Sequence, residues 1–151
     1  MILIVVLAVL SLDQLTKFII VKNLSVNQSI PVIQGIFHIS VVHNRGAAFG
    51  ILRNQVPFLI LTAIITVVLI YLSLRKNKHK IKLSEKIPLA FILGGAIGNL
   101  IDRIFFGYVI DFLDFRIWPV FNIADSAITI GAIMLGWTIL HASNNLSNRP
   151  V

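Results

Sequence analysis

The chain has no cysteine among its 151 residues and only one glutamate, Glu85. The first absence excludes disulfides and thiolate metal sites. The second removes the His-Glu-x-x-His helix of a zinc peptidase, because Glu85 lies in a basic stretch and His38, His43, His79 and His141 are not spaced around it in that way. No metal and no other cofactor is expected. Charge is scarce as well. Charged residues make up 13% against 57% hydrophobic, with a mean hydropathy of +0.91, which rules out a soluble globule and points to an integral membrane protein.

What fills the chain instead is four long apolar runs: residues 2–21, 56–74, 87–106 and 121–140. A hydrocarbon layer about 30 Å thick needs about 20 mostly apolar residues per helix, so four transmembrane helices are expected. No basic residue precedes the first run and no small-x-small cleavage site follows it, so it reads as a retained span rather than a cleaved leader. The net charge of +7 comes largely from Arg75, Lys76, Lys78, Lys80, Lys82 and Lys86 in the connection 75–86. The positive-inside rule places that loop in the cytoplasm, a topology signal that accounts for the basic charge without nucleic acid. Both termini then lie on the cytoplasmic side. Asp13, Asp102 and Asp125 fall toward the outer ends of their helices.

Between the spans, Ile36-Phe37-His38-Ile39-Ser40-Val41 alternates apolar and polar residues with the period of a half-buried strand. Asn44-Arg45-Gly46-Ala47-Ala48-Phe49-Gly50 follows as a turn. A small β element over about 30–54, resting on the outer membrane surface, is expected. Residues 108–120 are too short and too charged to span, and Phe112, Phe115 and Trp118 suit a piece lying in the interface. With no repeat or low-complexity tract, residues 1–151 read as one membrane-embedded domain.

Five of the six acidic residues are aspartates, and four of them, Asp102, Asp111, Asp114 and Asp125, share one short stretch. Carboxylates at membrane depth are costly, so they mark function. Asn-x-x-Asp occurs twice, as Asn99 to Asp102 and as Asn122 to Asp125, and three-residue spacing sets amide and carboxylate on one helix face. Asn122 behind Pro119 also reads as a helix N-cap, with Asp125 at the positive end of the dipole. Asn99, Asp102 and Arg103 suggest a buried network with an Asp–Arg pair, and Gly94 to Gly98 a close-packing GxxxG. Ser126 adjoins Asp125 but lacks an evident histidine base, and His38 and His43 read as surface residues of the β element. Asp114 reads as an interfacial charge.

Two carboxylates in one site can hydrolyse an amide without metal or covalent intermediate, one activating water while the other protonates the substrate. Like charges about 4 Å apart repel by about 4 kcal/mol at an effective dielectric of about 20, equivalent to about three pKa units on the second ionisation. Such a pair holds one proton at neutral pH. Spacing alone lets Asp125 partner either Asp102 or Asp111.

Five blocks narrow this choice: Asp13-Gln14-Leu15-Thr16-Lys17, Asn44-x-Gly46-Ala47-Ala48-Phe49, Gly94-Gly95-Ala96-x-Gly98-Asn99-x-x-Asp102-Arg103, Val109-Ile110-Asp111-Phe112 and Phe121-Asn122-x-Ala124-Asp125-Ser126. Together, and in this order, they resemble the bacterial lipoprotein signal peptidases, the type II signal peptidases. The resemblance implies an all-α membrane protein of four transmembrane helices with a small extracytoplasmic β-cradle and a short interfacial helix. It implies an aspartic endopeptidase of the bacterial inner membrane that removes the signal peptide from diacylglyceryl-modified prolipoproteins, just before the lipid-bearing cysteine. By that resemblance the dyad is Asp111 and Asp125. Asn44, Gly46, Asn99, Asp102, Arg103, Asn122 and Ala124 bind substrate or support the site, Asn44 and Arg103 holding the substrate main chain. Asp13 and Lys17 give structural support. The implied partners are the lipidated precursor, membrane lipids and inhibitory peptide antibiotics of the globomycin type. The protein is expected to act as a monomer without nucleic acid.

Two other classes use the same residues differently. A small proton-linked transporter or channel would employ the aspartates as a relay, but the carboxylates gather on one side and no paired broken helices or repeated halves occur. A noncatalytic assembly or lipid-binding subunit would make both Asn-x-x-Asp pairs purely structural.

Overall fold

In hydrocarbon a helix must satisfy every backbone group within itself, and the four apolar runs do so. The computed structural model describes residues 1–47, 51–76 and 81–147, with side chains through residue 141. Ala48, Phe49 and Gly50 of the turn block, and Lys78, His79 and Lys80 of the basic connection, lie outside the described residues. Helices α1 (Ile2–Asn23), α2 (Val56–Lys76), α3 (Leu83–Phe106) and α4 (Ile123–Ser147) are each long and apolar enough to cross a membrane. All four extend beyond the expected ends at one or both termini, and the local reason is visible at α3. There the Glu85 carboxylate accepts the Lys82 backbone N–H at 3.3 Å, starting the helix a turn before residue 87.

Helix α3 is the centre of the bundle. Its small residues admit neighbours on opposite faces: Gly94 abuts Val6 and Val9 of α1, whereas Gly95 abuts Ala124 and Ile128 of α4. Close packing is therefore what the glycine pattern does here. Large apolar side chains such as Leu3, Ile4, Phe105 and Ile133 point outward, as expected for contact with lipid. At the end of α3 the chain reverses through Gly107, whose φ of 75° is left-handed and whose N–H donates to the Arg103 carbonyl at 3.1 Å.

The β element is larger than the sequence suggested. Strands β1 (Ser29–Ile33), β2 (Phe37–Asn44) and β3 (Val109–Asp114) form one antiparallel sheet in that order. The second falls on the alternating run 36–41, and the first lies just ahead of it, at the start of the β element expected over about 30–54. The third comes from the start of the segment expected to lie in the interface, which forms a strand there. No short interfacial helix occurs among the described residues. Val-Ile-Asp-Phe-Leu-Asp is rich in strand-forming residues, and pairing with β2 satisfies backbone groups that an isolated surface segment would leave to water. In this register Val42 faces Asp111 and Asn44 faces Val109. Beyond β3 the chain bends back so that Phe121 pairs with Leu113, which is how thirteen residues suffice between Asp111 and the residue that follows them, Asp125.

Candidate active site

Asp111 sits in the middle of β3 and is 1% exposed. Its two oxygens are held by amides from different elements. Asn122 Nδ2 donates to Oδ1 at 2.7 Å, and Asn44 Nδ2, from the end of β2, donates to Oδ2 at 2.9 Å. Asn44 is itself fixed, since its Oδ1 accepts the Gly46 N–H at 2.9 Å. Burial, and then the negative charge of Asp125, push the Asp111 carboxyl up to about 7, while the two amide donors and Lys17 pull the other way.

Asp125 reaches the same place from the start of α4. Asn122 caps that helix: its Oδ1 accepts the Asp125 N–H at 2.8 Å, and Asp125 Oδ2 in return accepts the Asn122 N–H at 3.3 Å. The reciprocal cap is the local reading of Asn-x-x-Asp, and it leaves Asp125 Oδ1 to accept from Asn99 Nδ2 at 2.7 Å. Asn122 thus contacts both carboxylates, one through its side-chain amide and the other through its cap. Capping and a role in the site are compatible. Ala124 is fully buried between Asn122 and Asp125, and its N–H donates to Asp13 Oδ1 at 2.9 Å.

Beneath the two acids lies a buried polar cluster. Lys17 Nζ is 2.8 Å from both Asp13 Oδ2 and Asp102 Oδ2, and it donates to Asn99 Oδ1 at 3.0 Å. Asp102 also accepts the Ile110 N–H at 3.2 Å, next to Asp111 in the chain. The expected Asp102–Arg103 pair is therefore replaced by Asp102–Lys17. Successive helical residues point about 100° apart, so Asp102 faces α1 while Arg103 turns toward the cavity. There the Arg103 guanidinium donates to the Gly46 carbonyl at 3.3 Å.

Asp111, Asp125, Asn44, Arg103 and Gly46 all line one cavity of about 960 Å³. Its walls beyond the acids are largely apolar, including Phe115, Trp118 and Ile128. His43 reaches this cavity and stacks on Tyr108 with ring centroids 3.8 Å apart, so it is more than the plain surface residue expected. Ser126 Oγ donates to the Asn122 carbonyl at 3.0 Å. Asp114 stands apart. Burial raises its carboxyl, but the Ser40 hydroxyl and Arg116 outweigh that and hold it below the ordinary value, as suits an outlying charge. One member of the cluster was passed over as a site residue: Gln14, whose amide donates to Asp102 at 3.0 Å and to Asp13 at 3.1 Å. Its place between Asp13 and Lys17 in the first block was the available signal.

Residues 5–141 match the family model of signal peptidase (SPase) II. The chain belongs to the signal peptidase II family. Proteins named lipoprotein signal peptidase are similar to it across most of its length. One from Moorella thermoacetica is 46% identical over 151 residues, covering 98% of each chain. Another from Halothermothrix orenii is 50% identical over 137 residues, covering 89% of this chain and 92% of that one. A solved structure described as a bacterial membrane enzyme superposes with a TM-score of 0.88 at 32% identity, over 99% of this chain and 93% of the other. A second, described in the same words, gives 0.81 at 33% identity and 92% of each chain. The protein is accordingly a peptidase of lipoprotein processing, built as a multi-pass membrane protein.

Proposed function

We propose that Asp111 and Asp125 form the catalytic dyad of an aspartic endopeptidase, which removes the signal peptide from diacylglyceryl-modified prolipoproteins by cutting just before the lipidated cysteine. The observation that carries this reading is the convergence of both carboxylates on Asn122 and on one cavity. A carboxyl raised to about 7 beside a second acid suits a pair that holds one proton at neutral pH. One acid takes a proton from water as the water oxygen attacks the scissile carbonyl, and the other gives its proton to the carbonyl oxygen; as the resulting gem-diol collapses, the first acid passes the water's proton to the leaving amine and the second takes one back from a hydroxyl. Asn44 and Arg103, which line the cavity, hold the substrate main chain. The apolar walls admit the signal peptide sideways while the diacylated cysteine stays in lipid.

In this reading the whole chain is one peptidase domain of the bacterial inner membrane. Both termini and the basic connection are cytoplasmic, and the dyad and sheet lie at the outer face. The enzyme acts as a monomer, and peptide antibiotics of the globomycin type occupy the same cavity. The test is cleavage of a lipidated precursor peptide by purified protein, with and without chelator. Asp111→Asn and Asp125→Asn are each expected to lower turnover by at least about 1,000-fold while the protein stays inserted and folded. Full activity in either variant refutes the dyad, and proton flux without cleavage favours a transporter.

A further inference from the structure

A carboxamide can face its neighbours in either of two orientations, and its partners decide which. For Asn99 three residues from outside its own helix share that decision, and Lys17 is the one that brings a positive charge to the amide oxygen. Lys17 is 2% exposed, and its ammonium has three donors and no acceptor. At 3.0 Å it can face only the oxygen of Asn99, and Asn122 Nδ2 approaches that same oxygen at 3.1 Å. The amide nitrogen is thereby turned to Asp125 Oδ1, 2.7 Å away. Without the ammonium, Asn99 keeps Asn122 and Asp125 but loses the one charged donor to its oxygen, and the amide is held less firmly against Asp125.

We propose that Lys17 is a positioning residue of the peptidase, holding the Asn99 amide so that it donates to Asp125. This goes beyond a supporting ion pair, and it rests on Asp111 and Asp125 being the dyad. The charged groups that interact with the ammonium are Asp13 on its own helix, Asp102 on α3, Asp111 on β3 and Asp125 on α4, and Arg103 on α3 is a second cation acting on Asp111 and Asp125. Asp13 and Asp102 touch it directly, at 2.8 Å each. Its positive charge also holds the Asp111 carboxyl lower than burial and Asp125 would leave it. Removing that charge lets the shared proton persist to higher pH.

The variant Lys17→Met leaves two buried carboxylates facing each other, and it can fail to fold for that reason alone. The decisive protein is therefore Lys17→Met combined with Asp102→Asn, which removes one charge of each sign. Melting, kcat, KM and the pH profile of lipidated-precursor cleavage are measured beside Asp102→Asn alone and Lys17→Arg. The double variant is expected to melt close to Asp102→Asn yet to have a kcat about 100-fold lower than that single variant, with KM little changed. The alkaline limb of its profile should move upward. Lys17→Arg, which keeps a donor-only cation, should keep the wild-type limb. A double variant with the kcat and limb of Asp102→Asn overturns the proposal. So does a Lys17→Arg limb displaced upward, whether or not the double variant folds. Failure of the dyad itself is read separately: Asp111→Asn and Asp125→Asn would then remain active in the same assay.

Discussion

Asp13 Oδ1 accepts the backbone N–H of Ala124 at 2.9 Å, joining residues 111 positions apart in the chain. The first helix thus satisfies one of the N–H groups left open at the start of the last, one residue before Asp125. This contact, with the Asn122 cap, fixes where the fourth helix begins and hence where its carboxylate stands.

Replacing Asp13 by alanine removes this cap and one of the two carboxylates neutralising Lys17. Breaking a buried pair by deleting one partner typically costs about 3–5 kcal/mol, so Asp13→Ala should lower thermal stability in detergent by that order. An unchanged midpoint would show that the pair contributes little.

Asp111 makes stability depend on pH in a definite direction. Its carboxyl is raised in the fold to about 7 from 3.8, so the folded state keeps a proton that the unfolded chain has released. The resulting stabilisation is full below the lower value and is lost as pH rises through about 7, amounting to up to about 4 kcal/mol. Denaturation of the wild type should show this decline between the two values, and Asp111→Asn should flatten it. An identical slope in both proteins would contradict the assignment.

Asn44 donates to Asp111 Oδ2 at 2.9 Å, a bond that favours the ionised acid. In Asn44→Ala the Asp111 carboxyl should rise above about 7, so the alkaline limb of the kcat profile should shift upward by up to about one unit. A limb that stays in place or moves down would mean that another group sets it.

Gly95 has no room for a side chain. A Cβ there would run into the Ala124 carbonyl oxygen and lie 2.9 Å from Ile128 Cγ1. Gly95→Ala is expected to cost about 1–3 kcal/mol by overpacking and to lower turnover by moving the helix start that carries Asp125. Wild-type melting and turnover together would show that α3 and α4 can separate there freely.

The features legible in the sequence were those whose cause is local. The spans follow from apolar length, the second strand from alternation, and the Asn122–Asp125 cap from three-residue spacing behind a proline. The five motif blocks pointed to the remaining cluster residues, but not to which of them touch.

Arg103 illustrates the limit: it adjoins Asp102 in sequence, yet Lys17 is the partner, because helix geometry separates neighbours while bundle packing joins distant residues. The third strand was hidden for a related reason. Val109–Asp114 has strand-forming residues, but only β2 alongside makes it a strand. A chain this oily specifies by itself that it enters a membrane and what buried polar groups it takes there. Which amide meets which acid is decided only by folding, since each buried polar group must find a partner in space and the nearest in sequence is often turned away.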